Sequence, residues 1–210
     1  MKDEKIKVKG YAKYDRDISP DTFTSVGQCI LKSIRTNDFT NSGTCMVKGS
    51  CTTMLLKNLG SATLQRLVAD QVQSSGSLQV KEYVRAKSFQ AKGHVTIKEE
   101  LEAQFIDLTM TTANYIRRMS GAKEITVRSH AISYLNFFGF GRKCLRSERI
   151  EGEAVHLEHT IADVVIGESI FIGKGCDIKE VHYIKTLDIH PESTVGSTYR
   201  MEENKNENCL

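Results

Sequence analysis

Five glycines recur along the first half of the 210-residue chain, Gly27, Gly43, Gly60, Gly76 and Gly93, at spacings of 16, 17, 16 and 17. Their neighbours recur in step. Phe23, Phe39, Leu56, Val72 and Phe89 stand four positions before them. Cys29, Cys45, Ala62, Leu78 and Val95 stand two after, and Leu31, Val47, Leu64, Val80 and Ile97 four after. A fixed period with fixed apolar columns is the mark of a solenoid. Offsets of two place the apolar residues on one face of an extended strand. Sixteen or 17 residues are too few for a helix pair, and β-branched and aromatic columns suit short strands. Glycine serves a corner that needs a positive φ or a close backbone approach. Each repeat therefore reads as one coil of an all-β, single-stranded parallel β-helix, with coils about 4.8 Å apart.

The period divides the chain. Residues 1–20 are polar and charged, with Ile6, Val8 and Tyr11 alternating, and read as an N-terminal arm or capping strand. The β-helix is expected over 21–199, in roughly nine coils. Ile106 extends the Phe89 column at a spacing of 17, and Ile125 and Val127 suggest a further coil. Residues 129–144 break the rhythm with an aromatic-rich insertion. From Leu145 the beat shortens, with Ile166, Ile172, Ile178 and Ile184 each six apart, as three six-residue sides would give. Residues 200–210 form a polar tail expected to be disordered.

The formal net charge of +3 is too small to mark a nucleic-acid binder, and none is expected. No apolar stretch approaches the length of a membrane span, and the first residues lack the core of a signal peptide. The six cysteines are therefore expected in a reducing cytosol. There Cys29 and Cys45 would act as small hydrophobes of an inward column.

Three stretches resemble the bactofilins, the polymer-forming cytoskeletal proteins of bacteria, in their longer Firmicutes form. They are Ser42-Gly43-Thr44-Cys45-Met46-Val47-Lys48-Gly49, then Gly121 to Arg128, then Ile150 to Glu158 continuing through Ala162-Asp163-Val164-Val165-Ile166-Gly167 to Ile172-Gly173-Lys174-Gly175-Cys176-Asp177-Ile178. The likeness covers nearly the whole chain apart from the tail. It implies a right-handed β-helix and a cytoplasmic scaffold, without cofactor or catalysis. Such proteins assemble end to end into nonpolar filaments without nucleotide and serve envelope growth, cell shape or motility. The partner would be a second copy or a paralogous bactofilin. Val26-Gly27, Leu59-Gly60 and Lys92-Gly93 replace the usual Ser-Gly or Asn-Gly corners.

Parallel strands at the two ends of a solenoid carry unpaired N–H and C=O groups, and neither end shows an amphipathic helical cap. The expected polymer contacts are Phe23, Val26, Leu31 and Ile34 at one end and Ile184, Leu187, Ile189 and Val195 at the other. Two other readings compete. The Ile-Gly units at 166 and 172 are similar to those of the hexapeptide acyltransferases, with His182 or His190 as general base. Alternatively, Phe137, Phe138, Phe140, Arg142 and Lys143 suit a contact with the inner face of a membrane, aromatics dipping in and cations meeting headgroups. A column of Lys32, Lys48, Gln65, Lys81 and Lys98 would support an anionic partner. His156 and His159 read as surface histidines rather than metal ligands.

Overall fold

The structure, a computed structural model, describes residues 4–129 and 143–202. Every regular element among them is a strand, and all pairings are parallel. The strands are β1 Lys5–Val8, β2 Tyr11–Ile18, β3 Thr22–Ser25, β4 Gln28–Asn41, β5 Thr44–Asn58, β6 Ser61–Ser74 and β7 Ser77–Val80. They continue as β8 Tyr83–Met110, β9 Asn114–Ser129, β10 Leu145–Leu157, β11 Thr160–Ile172, β12 Asp177–Ile189 and β13 Thr194–Arg200. Each stacks on the strand one coil away, so the chain is a β-solenoid.

The column read from the sequence is an interior ladder. It runs Ile6, Phe23, Phe39, Leu56, Val72, Phe89, Ile106, Ile125, Val155, Ile170 and Leu187, one residue per coil. That makes eleven rungs, close to the nine expected. The excess arises mainly because residues 5–18 are themselves the first coil: Ile6 covers Phe23, Tyr14 covers Leu31 and Ile18 covers Ile34. Ten intervals of about 4.8 Å give a rod about 48 Å long. The columns headed by Tyr14, Ala12 and Ile18 line the rest of the interior. One of them runs Ile34, Cys51, Leu67, Val84, Leu101, Met119, Ile150, Val165 and Val181, all buried.

The glycine period now has a physical cause. At Gly27, Gly43, Gly60 and Gly76, an added Cβ would collide with the backbone carbonyl of the glycine one coil earlier, Gly10, Gly27, Gly43 and Gly60 respectively. Close approach, not torsion, selects glycine there. Only Gly10 and Gly93 in this stack have a positive φ, 144° each. The alternation of 16 and 17 arises at a different corner. Leu31 to Ile34 and Leu64 to Leu67 take three steps, whereas Val47 to Cys51 and Val80 to Val84 take four, the extra residue being absorbed as a bulge. Beyond coil six a second corner also takes glycine, while Gly173 and Gly175 stand at the first. Gly121, Gly152 and Gly167 stack where Thr36, Thr53 and Ala69 stood.

Polar residues enter the interior only in small ladders. Asn41 and Asn58 are fully buried one coil apart, two positions before their glycines. Asn41 Nδ2 donates to Asn58 Oδ1 at 2.9 Å, and Asn58 Nδ2 donates to Ser74 Oγ at 3.1 Å and to the Ser77 carbonyl at 2.9 Å. The amides thus tie each corner to the next. Thr36 and Thr53 do the same nearby, their hydroxyls donating to the carbonyls of Asp21 and Asn37 one coil back.

Four sequence expectations need adjustment. The six-residue beat is not a coil side: Ile172 and Ile178 are buried, but Ile166 and Ile184 are only half-buried and lie off the columns of the other two. A strand alternation of two simply coincided with six. Cys29 and Cys45 are not free thiols but a disulfide, with Cα atoms 4.7 Å apart. Column partners on adjacent coils fall within the separation a disulfide requires. β9 ends at Ser129 and the Asn114 N–H donates to the Cys144 carbonyl just before β10, while residues 130–142 of the expected insertion lie outside the described residues. Of the tail, Arg200 ends β13 and residues 203–210 lie outside the described residues.

Two outcomes follow. Gly43→Ala should destabilise the fold by about 3 kcal/mol, the upper part of the overpacking range, in urea unfolding; a loss within about 0.5 kcal/mol would show that the corner opens freely. Peptide mapping without reductant should recover Cys29 and Cys45 in one linked peptide, and unlinked peptides would restore the free-thiol reading.

Candidate functional site

Eight hydrophobic side chains pack against the core yet stay partly exposed: Ile6, Ala12, Tyr14, Ala86, Tyr183, Leu187, Ile189 and Val195. All but Ala86 lie in the first or the last two coils. Apart from Ala86 and Tyr183, they are the terminal members of interior columns, buried on one side by their own chain and open on the other. The backbone there is equally incomplete. β1 pairs with β3 and β2 with β4, each on one edge. At the other end β13 pairs with Asp177–Tyr183 of β12, which leaves Thr186–Ile189 paired to β11 alone. Among the described residues no helix or loop covers either edge.

The structure therefore brings Leu187, Ile189 and Val195 to an open end, while Ile184 is half-buried and is not among the side chains packed against the core. It separates the other four residues expected at an end. Phe23, Leu31 and Ile34 are buried to within 2% under the first coil. Val26 is exposed at a corner. The residues in their place are Ile6, Ala12 and Tyr14. A signal for that coil was present in the sequence, since Gly10 precedes Gly27 by 17.

The lysine column exists but does not form a uniform cationic face. Lys32 pairs with Asp17 at 3.4 Å, and Gln65 donates to Glu82. The column continues into Arg117, whose guanidinium meets Glu148 at 2.9 Å and Glu99 at 3.0 Å, hydrogen bonds and charges that raise its pKa further. Most other ion pairs also bridge neighbouring coils, among them Lys87–Asp70, Arg85–Glu102 and Lys185–Glu168.

Candidate chemistry elsewhere is sparse among the described residues. An open groove of about 600 Å³ runs along four coils, lined by Lys57, Leu59, Gln73, Gln90, Lys92 and Asp107. Its single carboxylate, Asp107, is tied to Arg128 at 3.0 Å. His182 stacks on Tyr199 with ring centroids 4.8 Å apart and meets Glu180 at 3.3 Å. His190 Nδ1 accepts from the Glu192 N–H. His156 packs on Phe171, and no group of three His, Cys, Asp or Glu side chains converges among the described residues. Burial pushes the Cys51 thiol up to about 12, so it is a packing residue rather than a nucleophile. Of the expected membrane contacts, Phe137, Phe138, Phe140 and Arg142 lie outside the described residues, and Lys143 is half-buried just before β10. No described helix is long and apolar enough to cross a membrane.

No family model matches the chain, and no solved structure matches it. The chain is similar to an uncharacterized protein of Bacillus subtilis (strain 168), YhbF, with 36% identity over 75 residues. Those residues are 36% of this chain and 30% of that relative, so the match spans about a third of either protein.

Proposed function

We propose that the chain is a subunit of a self-assembling scaffold of the bactofilin kind, joined end to end by stacking of its terminal coils. One observation carries this reading: partly covered apolar side chains and bare strand edges are concentrated at the two ends of the rod. A parallel edge is a template for another strand. The partner that suits it best is another rod of the same cross-section, a second copy or a close paralogue. Such a junction needs no nucleotide, metal or cofactor, because it repeats the contacts already made between coils. The role is mechanical rather than catalytic, on the cytoplasmic side, as a scaffold for envelope, shape or motility structures. The bactofilin-like stretches support this assignment, since they extend along the same columns that end in open rungs.

Electron microscopy of the purified chain without nucleotide should show filaments or sheets thinner than about 5 nm, one or two solenoid widths. Ile189→Glu should abolish them while leaving the thermal midpoint within a few degrees of the parent, because Ile189 lies on the last rung. Phe23→Glu, one coil inside, should instead unfold the rod. Parent protein that stays as discrete particles at every salt and concentration would overturn the proposal.

A further inference from the structure

The side of the rod carries a groove that end-to-end stacking leaves open. We propose that this groove binds an extended acidic peptide segment of a partner protein, whose carboxylates at positions i and i+3 meet Lys57 and Lys92. The groove lies along the middle coils, away from both ends, so it is available whether or not copies of the chain assemble.

Coil stacking itself builds the site. One wall is an outward ladder: Lys57, Gln73 and Gln90 stand in register on successive coils, and Asp107 follows on the next. The other wall stands two residues further along each strand and includes Leu59, Ser75 and Lys92. Between the walls Ser74 and Ala91 are buried, so the floor is backbone. The space between holds about 600 Å³.

The polar groups of this groove lack partners. Among the described residues neither Lys57 nor Lys92 has a carboxylate partner, and the Gln73 and Gln90 side-chain amides make no hydrogen bond. Asp107 Oδ2 accepts from Arg128 at 3.0 Å, which balances its charge. Asp107 Oδ1 is shielded from solvent and accepts from nothing. The groove therefore presents two uncompensated cations, two amides and one acceptor in need of a donor.

That set selects the occupant. Two cations attract two anions. Glutamine amides donate and accept, as peptide groups do. The open Asp107 oxygen is satisfied by a peptide N–H, whereas a phosphate chain would set like charge against it. Spacing gives the pattern. Lys57 and Lys92 are two coils apart, about 9.6 Å along the axis, and stand on opposite walls. Three residues of extended chain rise about 10 Å, and strand alternation turns residues i and i+3 to opposite sides. A carboxylate at i then faces Lys57 and one at i+3 faces Lys92. The residue next to the first carboxylate lies on the side of exposed Leu59.

Fluorescence anisotropy of the full chain with labelled peptides tests this assignment. The probe is Ala-Glu-Leu-Ala-Glu-Ala, and Ala-Glu-Glu-Leu-Ala-Ala is a control of the same composition with adjacent carboxylates. The probe should bind at least about threefold tighter than the control. Lys57→Glu and Lys92→Glu should each weaken probe binding about five- to tenfold, and added salt should weaken it in the parent. Lys81→Glu, at an exposed lysine off the groove, should leave binding unchanged. Thermal melting of each variant separates lost binding from lost folding. Absence of saturable probe binding, equal binding of the two peptides, or an equal loss with Lys81→Glu would overturn the peptide site. Phosphatidylglycerol vesicles bound in place of the probe, with the same dependence on Lys57 and Lys92, would overturn it in favour of a lipid surface.

Discussion

Everything in this fold depends on how closely one coil can lie on the next. A parallel ladder sets that distance at about 4.8 Å, and at the glycine corner even a methyl group exceeds it. The corner is therefore the tightest point of the rod, and a chain that keeps glycine there keeps its period. Once the corners are in step, most other stabilising contacts join a residue to its neighbour one coil away, 16 or 17 positions on in the first half of the chain. Phe23 meets Phe39 edge to face with centroids 5.2 Å apart, Asn41 bonds Asn58, and Cys29 is linked to Cys45. Aromatic, amide and disulfide differ in chemistry but use the same vector along the axis.

Such a molecule has no closed core. Each coil buries its apolar rows only against the coils before and after it, so stability is a sum of near-identical interfaces. The first and last coils each lack one of these. Burying a row of half-exposed side chains such as Ile6 and Tyr14 contributes of order 1 kcal/mol per side chain, and pairing the bare edge adds further hydrogen bonds. A junction between copies is thus one more interface of a kind the chain already contains, which is why assembly requires no dedicated domain. The surface follows the same logic: ion pairs such as Asp70–Lys87 reach across the rungs and reinforce stacking instead of decorating a separate binding face.

The interior was legible in the sequence because a strand forces its side chains to alternate and a solenoid forces them to align. Phe39, Leu56 and Val72 could be placed from spacing alone, and they are buried as read. Errors arose where that signal was thin. The first coil carries the same pattern, with Ile6 four before Gly10, Ala12 two after and Tyr14 four after, but set among lysines, where it reads as a polar arm. The run of isoleucines at 166, 172, 178 and 184 looked periodic, yet the corners vary in length and two of the four face outward. The ends were legible as incomplete, but the residues forming them depend on which coil is first. The pairing of Cys29 with Cys45 was missed, although residues stacked one coil apart lie within disulfide range.

The insertion between β9 and β10 shows where this architecture tolerates length. Val127 aligns with Leu157 in the rung beyond, and Asn114 N–H bonds Cys144, so the ladder is intact on both sides of the excursion. It leaves at the corner that the earlier coils close with glycine. In the coil before it, Thr111, Thr112 and Ala113 have already widened that corner, and Asn114 holds it by bonding the Thr112 carbonyl and the Val95 N–H. A widened corner no longer needs its carbonyl to sit under a Cα without a side chain. Glycine is absent there in the next coils and returns only at Gly173 and Gly175, while the columns on either side stay in register. The glycine stack and the longer connection between β9 and β10 thus occupy one corner, tightest where coils follow at the shortest period.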